Sequence, residues 1–190
     1  MKKSLIILII LLPFYAFSQI NETFSDGNFT QNPVWTGTTE NFKVNTQFQL
    51  QSQAATTSKS YLSTPSEAFE DAVWEFWVKI AYTTSSSNYA SVYLTSDRAD
   101  VSGDCYGYYV QIGNTNDEIS LYRQEGATKT KIIDGTDKLV DISPVEVRVK
   151  VTRDKSGKFT LYRKLPYDAD FVMEGEEAVD NKVPGSKYFG

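Results

Sequence analysis

Five aromatic side chains in one stretch of this chain, Trp77, Tyr89, Tyr93, Tyr109 and Tyr122, stand at positions that alternate with aliphatic residues. Among them fall Gln111, Gln124, Glu75, Lys79 and Arg148, with planar amide or charged groups. Flat rings interleaved with such groups suit a polyhydroxylated ligand. The apolar face of a sugar ring stacks on an aromatic ring, and its hydroxyls exchange hydrogen bonds with the polar groups. The candidate binding residues are therefore Trp77, Tyr89, Tyr93, Tyr109, Gln111, Tyr122 and Arg148. The competing explanation is structural. Tyrosine and tryptophan favour strands, and cross-strand aromatic pairs stabilise a sheet by about 0.2–1 kcal/mol each without any ligand.

Other chemistry is sparsely provided. The chain has no histidine, which removes Ser-His-Asp and Cys-His catalysis and most zinc sites. Its single cysteine, Cys105, cannot form an internal disulfide and has no histidine to activate it. There is no glycine-rich phosphate loop. Glycoside hydrolysis would need only two carboxylates at a set separation. No Glu-x-Asp-x-Glu strand is present, and Glu75 and Glu146 lie among Lys79, Arg148 and Lys150. A carboxylate held in an ion pair is a poor general acid. The expectation is a protein that is not an enzyme. Asp97, Asp100 and Asp104, with Ser96 and Ser102, form an oxygen-rich loop of the kind calcium uses in extracellular proteins. Their spacing matches no defined calcium loop, and the same residues are ordinary turn formers.

Period-2 alternation supplies the elements that carry these residues. Strands are predicted over 24–29, 42–50, 59–63, 73–82, 89–96, 106–112, 118–124, 128–133, 145–153 and 158–163. Polar clusters at 83–88, 97–104, 114–117, 134–137 and 153–157 separate the later ones. The run SEAFEDA at 66–72 is the one helical turn expected. In the DKSG turn at 154–157, Gly157 is placed to take a positive φ. The four segments between Val73 and Gln124 read as one antiparallel sheet with a dry face and a tyrosine-rich wet face. The fold class expected is an all-β antiparallel sandwich of the jelly-roll type.

The ends and the charge set further bounds. Residues 1–18 have a basic start at Lys2 and Lys3, an apolar stretch from Leu5 to Leu12, and small residues at Ala16 and Ser18. They read as a signal peptide cleaved between Ser18 and Gln19, which predicts secretion to the periplasm, cell surface or medium. The apolar run is shorter than the ~20 residues a spanning helix needs, and no later segment would span a membrane. Cleavage removes two lysines and no acids, which moves the net charge from −5 to −7. Such an acidic chain lacks the basic patch that nucleic-acid binding demands. Residues 19–190 have the length of one domain.

The segments SSSNYASVYL, CYGYYVQIG, DEISLYRQEG and VRVKVTRDKSGKFTLYRKL, with FSDGNFTQNPVWTGTTENFKV and GSKYFG, carry a resemblance. Together they resemble the concanavalin A-like, laminin-G-like jelly-roll domain at the N-terminus of large secreted bacterial proteins, often ahead of a lamin-tail domain. The resemblance spans about residues 22–190. It implies a non-catalytic β-sandwich with a carbohydrate-binding or adhesive role, an implication drawn from fold alone. Two departures stand out. Ser91 occupies a position where that family often has arginine, and the chain ends where family members continue into closing strands. The expectation is a C-terminally truncated sandwich, because the run from Tyr167 to Gly190 has little strand character. The functional expectation is a recognition module with a glycan or cell-surface partner. The alternative is a purely structural module of a larger surface protein.

Overall fold

Val145, Val147, Val149 and Val151 are four β-branched residues at period 2, a pattern that places one valine row against a core. In the computed structural model, which describes residues 20–56 and 58–190, all four are buried in strand Val145–Arg153. In chain order the strands are β1 (Thr36–Gly37), β2 (Phe42–Val44), β3 (Leu50–Ser52), β4 (Leu62–Pro65) and β5 (Ala72–Ile80). Then come β6 (Tyr89–Ser96), β7 (Cys105–Gly113), β8 (Glu118–Gly126), β9 (Thr128–Ile133) and β10 (Val145–Arg153). The last are β11 (Lys158–Lys164), β12 (Val172–Val179) and β13 (Tyr188–Phe189). A single 3₁₀ turn, Thr39–Asn41, is the helical element among the described residues.

The chain is an all-β antiparallel sandwich. One sheet has seven strands in the order β1-β4-β13-β6-β7-β8-β9, and the other has four in the order β12-β11-β10-β5. A separate hairpin pairs β2 with β3. The inner face of the large sheet presents Leu94, Tyr108, Val110, Ile112, Ile119 and Leu121. The smaller sheet answers with Trp74, the β10 valines, Phe159 and Leu161, and Phe76 and Val78 pack at the margin. Burial of these side chains is the main stabilising contribution, at about 1.5–3 kcal/mol for each large apolar residue.

Several sequence expectations need correction. Residues 73–124 do not form one sheet: β5 pairs only with β10 in the smaller sheet, whereas β6, β7 and β8 are central to the larger one. Residues 66–72 form no helix; Glu70 and Asp71 make a turn, with Asp71 at φ 46°, that leads into β5, and Phe69 packs against the core. Residues 24–29 form turns rather than a strand, and Phe24 packs on Trp35, which in turn packs edge-on against Phe189. The stretch 42–50 is divided by a turn into the β2–β3 hairpin. After Tyr167 the chain carries more strand than its pattern indicates. β12 pairs with β11, and β13 inserts between β4 and β6, pairing with both. Alternation is weak there because β12 is bent by an irregularity opposite Phe159 and Leu161, next to Gly175 at φ 63°. The proposed signal peptide and its cleavage site lie outside the described residues.

Two tight places explain their glycines. Gly157 takes φ 83° in the β10–β11 turn, and Asp154 Oδ1 accepts the backbone amides of Ser156 and Lys158 there. Gly107 sits against the β6 irregularity between Tyr93 and Thr95, where a Cβ would run into the Thr95 carbonyl oxygen.

A polar lock fastens the segment after β12 to the large sheet. Tyr108 donates its hydroxyl to Asp180 Oδ1 at 2.7 Å, and Arg123 pairs with both Asp180 and Glu125. Burial by itself would push the Asp180 carboxyl up. The Lys182 amide, the Tyr108 hydroxyl and Arg123 outweigh burial and hold it below the usual carboxylate range.

Candidate functional site

The candidate aromatic residues occupy two different surfaces. Tyr93, Tyr109 and Tyr122 lie on the outer face of the large sheet, and Trp77 and Arg148 on the outer face of the small one. The core of the sandwich separates the two groups.

On the large sheet, register dictates the arrangement. Tyr93 is opposite Tyr109, and Tyr109 is opposite Tyr122, so the rings form a ladder across three strands. They stack with centroids 4.8 Å and 5.2 Å apart and interplanar angles of 25° and 13°. Each such pair contributes about 0.5–1.5 kcal/mol beyond area burial. Both faces of Tyr109, and one face each of Tyr93 and Tyr122, are thus occupied by neighbouring tyrosines. Tyr93 and Tyr109 are 5% and 2% exposed, and Tyr122 is half-buried. Burial, reinforced by neighbouring phenols and the Cys105 thiol, pushes the Tyr93 and Tyr109 hydroxyls well above the ordinary phenol range.

The cover over the ladder is the 97–104 loop. Asp97 Oδ1 accepts the Tyr106 amide at 2.7 Å, the Ser63 hydroxyl donates to the Ala99 carbonyl at 2.7 Å, and Gln124 Nε2 donates to the Gly103 carbonyl at 3.0 Å. These bonds fold the loop back, and Val101 packs with Cys105, Tyr93 and Tyr109. Cys105 is a free, fully buried thiol in this small cluster. Gln111 lies on the same outer face, 7% exposed, between Ser91 and Ser120 in register. Tyr89, at 41% exposure, is the open member of the set.

The three loop aspartates do not converge. Asp97 supports Tyr106 as above and lies 3.7 Å from Arg98, and Asp100 Oδ1 accepts the Ser102 amide and hydroxyl. These are turn-forming roles. Among the described residues no group of three or more Cys, Asp or Glu side chains is placed to hold a metal ion.

On the small sheet, Trp77, Arg148 and Lys164 form one cross-strand row over β5, β10 and β11. Trp77 is half-buried and Arg148 exposed. They line a shallow hollow of about 130 Å³ together with Glu146, Lys164, Leu165 and Pro166. Glu75, opposite Lys150 in register, reaches diagonally to Arg148 at 3.7 Å, and Lys79 faces Glu146 at 4.0 Å, the four ion-paired side chains 43–58% exposed. Solvent screening leaves such pairs with little net energy. Glu75 and Glu146 are not brought together: Glu146 is opposite Lys79, four residues along β5 from Glu75, an offset of roughly 13 Å. Beside this row, Lys150 sits 4.5 Å from the ring centres of both Tyr162 and Phe171.

Sequence reasoning missed Lys164, Pro166, Tyr162 and Phe171 at this surface. Tyr162 and Lys164 were accessible from the outward positions of β11. Phe171 precedes a bent strand, and no periodic signal marks it. A larger hollow, about 370 Å³, lies against the β2–β3 hairpin, but its lining from Lys43 to Gln47 and Gln51 has no aromatic platform.

No protein-family model, curated protein or solved structure matches the chain. No helix among the described residues is long and apolar enough to cross a membrane.

Proposed function

We propose that this chain is a secreted, non-catalytic recognition module that binds carbohydrate on the outer face of its four-stranded sheet, at Trp77. The observation that carries this reading is the row of Trp77, Arg148 and Lys164 along a shallow, solvent-open hollow. An indole at a sheet surface offers a stacking platform, and the flanking charged groups are hydrogen-bonding partners for ring hydroxyls. The resemblance of its sequence segments to concanavalin A-like domains points the same way by analogy. The tyrosine ladder is not part of this site, since its ring faces are stacked on one another beneath the 97–104 loop.

A second reading is favoured by that ladder: a structural module of a larger surface protein, with its aromatic residues invested in packing. A glycan-array screen of the purified protein, with Trp77→Ala and Tyr109→Ala beside it, separates the two. The recognition reading expects wild-type binding, at least a tenfold loss in Trp77→Ala with unchanged folding, and retained binding by any folded Tyr109→Ala protein. Silence of the folded wild type on every glycan would leave the structural reading.

A further inference from the structure

The outward rows of β5, β10 and β11 around Trp77 carry more positive than negative charge, although the chain as a whole is acidic. Lys79, Arg148, Lys150 and Lys164 face out there against Glu75 and Glu146, an excess of two positive charges. Farther along β11, Lys158 is matched by Glu177 at 3.2 Å and adds nothing to the excess. Within the excess, Lys79 and Arg148 have the two carboxylates as neighbours, at 4.0 Å and 3.7 Å. Lys150 and Lys164 have no carboxylate within 4.0 Å among the described residues. Lys164 donates to the Ala169 carbonyl at 2.6 Å, and Lys150 is held between the Tyr162 and Phe171 rings.

Both arrangements fix an ammonium group without neutralising it. A cation over two aromatic rings is attracted by their quadrupoles yet keeps its full charge. The Glu75–Arg148 contact is beyond hydrogen-bonding distance and open to water, so the guanidinium retains donors for a bidentate carboxylate. The hollow of about 130 Å³ between Trp77, Arg148 and Lys164 puts these donors beside an indole surface.

We infer that the ligand of this face is an acidic polysaccharide built from uronic acid units. A sugar ring packs on Trp77, its carboxylate lies between Arg148 and Lys164, and the next acidic unit along the chain reaches Lys150. This rests on the carbohydrate reading above and narrows it to polyanionic chains.

The test is a binding titration of the purified protein with polygalacturonate, with fully methyl-esterified polygalacturonate as the uncharged counterpart and dextran sulfate as a sulfated polymer without carboxylates. Polygalacturonate is expected to bind at least tenfold more tightly than its methyl ester and to weaken as salt rises. The double variant Arg148→Ala/Lys164→Ala is expected to lose at least tenfold in affinity while its unfolding midpoint stays near the wild-type value. Equal binding of the ester would overturn the acidic preference and leave the carbohydrate reading intact. Binding of dextran sulfate alone would overturn the uronate assignment. Undiminished binding by the folded double variant would overturn the placement. If neither form binds but the array finds another glycan, only the present inference fails; a wholly silent array removes both.

Discussion

Tyr93 donates its hydroxyl to Gln124 Oε1 at 2.5 Å, across two strands and beneath the 97–104 loop. The same amide donates through Nε2 to the carbonyls of Gly103 and Gly126. Gln124 is 1% exposed, so this one side chain joins the tyrosine ladder, the loop above it and the end of β8 without help from bulk solvent. Replacing Tyr93 by Phe leaves the buried amide oxygen without this donor. The expected cost is about 1–3 kcal/mol, measured as a lower denaturant midpoint with an unchanged slope. In Gln124→Leu, the Gly103 carbonyl loses its donor as well. Combining the two changes should cost less than their sum, because they remove one shared bond.

Tyr109 and Trp77 should separate cleanly in stability. Tyr109 is 2% exposed with tyrosines stacked on both of its faces. Tyr109→Ala is expected to cost about 3–5 kcal/mol, the range for emptying a buried aromatic site. Trp77 stands half-buried on an outer face, and Trp77→Ala should cost about 1 kcal/mol, the scale of strand propensity. Thermal or urea unfolding of the two variants side by side checks the contrast; equal losses would contradict it.

Stability should decline on the alkaline side. The Tyr93, Tyr108 and Tyr109 hydroxyls have folded-state values raised above the ordinary phenol value of about 10. The folded chain therefore holds those protons more tightly than the unfolded one. Their contribution is complete below about pH 10 and falls as pH climbs beyond it. The tyrosinate absorbance of Tyr93, Tyr108 and Tyr109 should appear together with unfolding.

Acid should act through Asp180. Its folded carboxyl lies below the unfolded value of about 3.9, so the unfolded state takes up the proton first. The associated stability is present above that value and is lost as pH falls through the lower folded one. Asp180→Asn removes a charge from the buried pair with Arg123 and should cost about 3–5 kcal/mol at neutral pH. It should also flatten the acid limb of a stability–pH profile, which chemical unfolding at several pH values would reveal.

Gly107→Ala should be destabilising by about 1–3 kcal/mol, as overpacking is. The new methyl meets the Thr95 carbonyl, which is backbone within the β6–β7 ladder and has no rotamer to turn away.

Much of the sandwich was written in alternation. The row Val145 to Val151, the strand bounds 89–96, 128–133 and 145–153, and the positive φ at Gly157 all follow from residue type and spacing, because side-chain direction in a strand is local. Alternation also assigned Tyr93, Tyr109 and Tyr122 to a face opposite the main core, and their register confirms that shared side. Other features depend on contacts distant in sequence. Trp77 left the tyrosines because β5 pairs with β10, some seventy residues later, and strand pairing is chosen by whole-sheet packing. The ladder is dry because Ser63 and Gln124 draw the 97–104 loop over it, a closure made by hydrogen bonds from two other strands. Sequence alone determined that the chain has strands with aromatic outer rows. Only the tertiary structure decided which row is packed and which faces water, because that depends on which distant segments come to lie above it.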